Sequence, residues 1–123
     1  MNKQVFLLFF IFFLSIRFNA QVVINEYSAS NLRDFQDNHG KYEDWIELYN
    51  NSSQVVDLGG WYLSDKESKP KKWKIPTGTK INPHDFLLFW VSGRDEVIDG
   101  QYHTNFKFTQ TNGDEFAVLT NKS

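Results

Sequence analysis

Carboxylates are the residues of this chain best placed, by type and spacing, to do chemistry. Asp34, Asp37, Glu43 and Asp44 fall within residues 34–44 around Gly40, a composition that suits calcium, which prefers clustered oxygen ligands. The spacing departs from the EF-hand loop, because Gly40 follows Asp37 by three positions and Asp34 by six. Asp, Asn and Gly are also what a tight turn requires. Turn chemistry is therefore the first reading, and a calcium site at Asp34, Asp37, Glu43 and Asp44 the second. Glu26, Asp44 and Glu47 stand among strand-like apolar residues, where burial shifts carboxyl pKa values into a range useful for acid–base work. A glycosidase-like pair would flank a cleft, yet no nucleophile elbow or paired histidine accompanies these three. The expectation is that they accept hydrogen bonds from loop N–H groups and pin residues 28–43 to a sheet.

His39, His84 and His103 lack a His-x-x-x-His spacing, and the chain has no Cys, so surface or internally satisfied histidines are expected rather than zinc ligands. The missing Cys also excludes a disulfide framework, a thiol nucleophile and a lipid-modified cysteine. Lys66, Lys69, Lys71, Lys72, Lys74 and Lys80 surround Trp73. Lysine with an interposed aromatic can track a phosphate backbone and stack a base, which makes Lys69, Lys71, Lys72, Trp73 and Lys74 a candidate anionic-ligand site. Alternation offers the plainer reading: Trp73 and Ile75 point inward, and Lys72 and Lys74 guard an edge strand against sheet-to-sheet pairing. Trp45, Trp61, Trp73 and Trp90 could form a carbohydrate platform, but a small domain needs their large buried area for its core. Glu26, Trp45, Glu47, Trp61 and Trp90 are thus assigned structural roles. No catalytic residue and no cofactor is expected.

The elements that must position these residues follow from composition and pattern. The 123 residues carry 13 basic and 15 acidic side chains, a formal charge of −2. Residues 1–20 hold Lys3, Arg17 and six of the twelve Phe, and residues 5–16 form an apolar run broken only by Ser15. That is the length of a signal-peptide core, whereas a membrane span takes about 20 apolar residues. A signal peptide over 1–20, cut after Ala20, is expected, with no stable membrane span thereafter and a secreted or cell-surface destination. Without Lys3 and Arg17 the remaining 103 residues, 21–123, keep 11 basic against 15 acidic side chains, a formal −4. This suits one small domain and argues against charge-driven nucleic-acid binding.

In 21–123 apolar residues recur with period two in short runs between Gly, Pro, Asn, Asp and Ser, the mark of an all-β chain. Expected strands are 22–27, 44–50, 54–58, 61–64, 72–75, 86–92, 105–109 and 115–120, arranged as a sandwich or barrel. Asn50-Asn51-Ser52-Ser53 and Gly59-Gly60 supply turns. Residues 28–43 and 93–104 are long connections of the kind that carry function, and Arg94, Asp95, Glu96 and Asp99 in the second are candidate contact residues. The last strand runs into turn residues with nothing after it, an open edge, so a C-terminally truncated domain lacking its last strand is expected.

The order of motifs carries a resemblance. Val23-Ile24-Asn25-Glu26, Asp44-Trp45-Ile46-Glu47-Leu48-Tyr49-Asn50, Val56-Asp57-Leu58-Gly59-Gly60-Trp61-Tyr62-Leu63-Ser64-Asp65, Lys72-Trp73-Lys74-Ile75-Pro76, Ile81-Asn82-Pro83 with Phe86-Leu87-Leu88, and His103-Thr104-Asn105-Phe106-Lys107-Phe108 with Gly113-Asp114-Glu115 resemble the bacterial lamin-tail domain family over nearly all of 22–120. The chain is most similar to copies at the front of secreted bacterial proteins that also carry a spore-coat-H-like kinase domain. The resemblance implies an immunoglobulin-like β-sandwich without a catalytic centre, used for adhesion, docking or presentation within a larger protein. Its partners would be proteins, including other domains of a longer parent chain. One alternative is the N-terminal accessory piece of an exported kinase-like or hydrolytic enzyme, and another is a DNA- or glycan-binding module. Mass spectrometry of the exported product is expected to find a chain beginning at Gln21, and an intact Met1 in the soluble fraction would contradict the leader assignment.

Overall fold

A computed structural model of the chain describes residues 21–109 and 116–122; the expected leader, 1–20, lies outside the described residues. The strands are β1 (Val22–Ser28), β2 (Trp45–Asn50), β3 (Val56–Asp57), β4 (Tyr62–Ser64), β5 (Trp73–Lys74), β6 (Lys80–Ile81), β7 (Phe86–Trp90), β8 (Glu96–Ile98), β9 (Gln101–His103) and β10 (Val118–Thr120). One layer is a five-stranded sheet in the order β1-β2-β7-β9-β8; against it lie a three-stranded sheet, β10-β4-β5, and a two-stranded one, β3-β6. All pairings are antiparallel except β7 with β9. The architecture is an immunoglobulin-like β-sandwich, as the alternation and the motif order imply.

Period two sorts the side chains between the layers. On β2 and β7 the inward residues are Ile46, Leu48 and Phe89, none with any exposure, and Leu58, Leu63 and Ile75 meet them, equally buried, from the facing layer. Trp73 joins the two layers, its ring edge-on to Phe89 at 6.0 Å. The turn before β4 depends on Gly59-Gly60. Gly60 has φ of 86°, and a Cβ on Gly59 would stand 3.0 Å from the Thr77 Cα.

Two expectations are corrected. Residues 93–104 are no open connection: β8 and β9 form a hairpin turning at Asp99 and Gly100, whose φ values of 50° and 72° suit an Asp-Gly type I′ turn. This hairpin supplies the last two strands at one edge of the large sheet. Residues 105–109 form no strand; Phe106 and Phe108 alternate into the core while their backbone joins no ladder among the described residues, so the expected inward period is present without that pairing. β6, only Lys80–Ile81, lies outside the expected strands because two residues are too few to show alternation against the turns around them.

No helix among the described residues is long and apolar enough to cross a membrane. Phe89→Ala should cost about 3–5 kcal/mol, because the surrounding side chains of both layers cannot close around the lost ring. Val97→Ala, at a half-exposed site, should stay within about 0.5 kcal/mol. Urea unfolding of the two variants checks both.

Candidate functional site

The outer face of the large sheet has an unusual need. Trp45 and Trp90 stand opposite each other on β2 and β7, facing away from the sandwich core, and two exposed indoles there would leave a large apolar area in water. The connection between β1 and β2 answers this by crossing that face. Phe35 packs on both rings, 5.5 Å from Trp45 and 5.3 Å from Trp90, and both tryptophans are buried.

A segment laid flat on a sheet must satisfy its own backbone groups, and the side chains of Asn31 and Asp37, with Gln101 from the sheet, do so. Buried Asn31 donates through Nδ2 to the carbonyls of Phe35 and Glu43, both at 2.9 Å, and its Oδ1 accepts the Asp34 N–H at 3.0 Å. Asp37 Oδ1 accepts the N–H groups of His39 and Lys41, each at 2.9 Å, closing the turn at Gly40. Asn38 reaches the sheet: its N–H donates to Gln101 Oε1 at 2.9 Å, the same oxygen that accepts Trp90 Nε1.

Beyond Asn38 the loop brings three potential ligand groups together. His39 Nε2 lies 2.5 Å from Glu96 Oε1 on β8. His103 on β9, fully buried, is held at both nitrogens: Nε2 faces Asn38 Oδ1 at 2.7 Å and Nδ1 faces Ser92 Oγ at 2.9 Å. The two rings meet edge-on at 5.6 Å. One ligand atom from each of His39, Glu96 and His103 falls within 4.8 Å of the others. Burial holds the His103 imidazole below its ordinary 6.5, against Asp37 and Glu96, which raise it, and with His39 and Arg94, which lower it further. With Asn38 Oδ1 accepting, Nε2 carries the proton and Nδ1 accepts from the serine hydroxyl. Asp37 Oδ2 is buried and has no hydrogen-bond partner among the described residues.

Several expected sites look different in this light. Asp34, Asp37, Glu43 and Asp44 do not converge on a common point: Asp44 Oδ1 takes the Asn31 N–H at 3.1 Å, and Glu43 sits between Arg94 at 3.7 Å and Lys107 at 3.8 Å. A carboxylate already facing two cations is poorly suited to calcium. Asp44 does pin the 28–43 segment as expected, but Glu26 and Glu47 do not. Glu47 accepts from Asn25 Nδ2 at 2.8 Å and Glu26 is exposed on β1. Asn31 and Asp37 hold the segment's own turns; besides Asp44, it is Asn38 that ties the segment to the sheet, through Gln101 and His103.

Of the loop candidates, Arg94 turns toward Glu43, Asp95 Oδ1 accepts Trp73 Nε1 at 2.8 Å, and Glu96 meets His39. Asp99 lies exposed in the hairpin turn. Trp73 is a core residue with 4% exposure, which removes it as a stacking platform. Lys72 pairs with Asp65 at 2.6 Å and lies over the Phe106 ring, and Lys71 lies over Tyr62; Lys69 and Lys74 are exposed. Trp61 is half-buried against the core, so no two tryptophans are exposed together as a sugar platform. Sequence reasoning missed the meeting of His39 and His103. They are 64 positions apart, and only the path of the loop over the sheet unites them.

The Lamin Tail Domain family profile matches residues 18–123. No curated protein and no solved structure matches the chain.

Replacing Asp37 by Ala leaves the His39 and Lys41 N–H groups without their acceptor, which should cost about 1–3 kcal/mol. Amide hydrogen exchange should show both positions losing protection while Leu48, in the sheet, keeps it.

Proposed function

The chain belongs to the lamin tail domain family, and on that premise we propose that it serves as a docking, adhesion or presentation module of a larger bacterial protein, secreted or held at the cell surface. The family is immunoglobulin-like and non-catalytic, so function is to be sought in a surface rather than a reaction centre. One observation carries the reading: residues 29–44 cover only part of the large sheet's outer face. Val23, Tyr49 and Phe86 lie in one cross-strand row, the Tyr49 and Phe86 rings are 4.7 Å apart, and Phe86 is 51% exposed. In the next row Glu26 and Glu47 stand opposite each other beside Leu88. Leu88 leads into a shallow groove of about 370 Å³ lined by Phe35, Gln36, Trp90, Gly100 and Gln101.

An aromatic row rimmed by carboxylates suits a protein surface that presents apolar and basic groups. The partner is another domain of the parent chain or a neighbouring surface protein. Where that parent carries a spore-coat-H-like kinase or a hydrolase domain, the reaction resides there and this module positions it. The apolar leader supports export. Nucleic acid and glycan suit the molecule less well, because the domain is net acidic, Lys72 is already paired, and Trp45, Trp73 and Trp90 are buried.

Replacing Phe86 by a photo-crosslinking phenylalanine analogue in the exported protein, then identifying adducts by mass spectrometry, is expected to capture a protein segment. The yield should fall at least tenfold when Leu88→Asp is added, and a crosslinker at Val97 should give no such adduct. Adducts that ignore Leu88→Asp, together with salt-sensitive binding to DNA or saturable binding to a glycan array, would replace this reading.

A further inference from the structure

The geometry points to a second use of the loop-covered face: His39, Glu96 and His103 form a binding site for a divalent transition-metal ion of the zinc class. It stands independently of the docking surface.

Two imidazoles and one carboxylate are a donor set for zinc, not for calcium or magnesium, which take oxygen. Their ligand atoms lie within 4.8 Å of one another. A tetrahedral ion with bonds of about 2.0–2.1 Å requires ligand atoms about 3.3–3.5 Å apart. His39 Nε2 and Glu96 Oε1, now 2.5 Å apart, must therefore part by about 1 Å to admit the ion, and atoms at the outer end of the 4.8 Å span must close by a similar amount. His39 and Glu96 have room to move, with side chains 31% and 34% exposed. The ion takes the place of the proton between His39 Nε2 and Glu96 Oε1.

His103 is already oriented as a ligating histidine is. A zinc-bound imidazole generally holds its second nitrogen against a hydrogen-bonding group that fixes ring and tautomer, and Ser92 Oγ occupies that position at Nδ1. A serine hydroxyl both donates and accepts. When the proton of His103 moves from Nε2 to Nδ1, Oγ accepts it and Nε2 offers its lone pair toward His39 and Glu96. Asn38 Oδ1, 2.7 Å from Nε2, then yields its place or serves as a fourth oxygen donor.

An independent observation points the same way. Asp37 is 6% exposed, and its Oδ2 has no hydrogen-bond partner among the described residues. Its charge acts on His103. A buried carboxylate oxygen without a donor is costly, and a cation next to the adjacent imidazole would offset that cost. Because His39 belongs to the loop, Glu96 to β8 and His103 to β9, one ion would cross-link the loop to the edge hairpin.

The test uses the untagged chain, stripped with a chelator and titrated with zinc chloride by calorimetry and by thermal unfolding. One ion per chain is expected, with a rise in Tm of about 10 °C at a hundredfold excess over Kd. Cobalt(II) should give the visible absorption of a tetrahedral centre, whereas calcium and magnesium should leave Tm unchanged. His39→Ala and Glu96→Gln, both at partly exposed positions that the fold tolerates, should each weaken binding at least tenfold, while His84→Ala on its separate turn should not. Absence of saturable binding, or affinity unchanged in His39→Ala and Glu96→Gln, or affinity lost in His84→Ala, overturns the assignment.

Discussion

The outermost constraint on this molecule is that both faces of one sheet are apolar. In a two-layer sandwich the inner face is satisfied by the opposite layer, here through Leu58, Leu63, Trp73 and Ile75. The outer face carries Trp45 and Trp90, which nothing in the second layer can reach. The chain solves this with a segment that has no regular secondary structure, and the cost is a stretch of backbone over an apolar surface. Every feature of the candidate site follows from meeting that cost. Asn31 and Asp37 are there because short amide and carboxylate side chains satisfy turn backbones at close range, and Asn38 lays its side-chain oxygen on the buried His103 ring.

The sandwich itself was legible. Alternation in 22–27, 44–50 and 86–92 marks three strands that the structure contains, and the inward set of Ile46, Leu48 and Phe89 follows from period two. The β8–β9 hairpin was not read, although Asp99-Gly100 was a usable turn signal. Its strands are three residues each, and apart from His103 none of Glu96-Val97-Ile98 and Gln101-Tyr102-His103 is buried, so they show little of the alternation that burial imposes. Phe106 and Phe108 erred the other way: their alternation reflects burial, but no strand among the described residues pairs with their backbone.

The site was much less legible, for a physical reason. Carboxylates were expected to anchor the loop, as Asp44 does, but an asparagine both donates and accepts, and a crossing segment presents both kinds of backbone group. The Asn31 side chain alone satisfies three backbone partners this way. Likewise the lysines around Trp73 look like a basic patch in one dimension. In three dimensions Trp73 turns inward to Asp95 and Phe89, and Lys72 is neutralised by Asp65.

The parallel register of β9 beside β7 makes one end of the molecule depend on the other. Antiparallel neighbours can zip from a short turn, but β9 must be carried past β7 and returned by the β8 hairpin before Phe89 meets Tyr102. The loop's distal anchors, Gln101 and His103, exist as a surface only after that return. The crossing segment therefore has its distal anchor only where the far edge of the sheet is in place, and a chain lacking that edge would leave the cover over Trp45 and Trp90 untethered at that end.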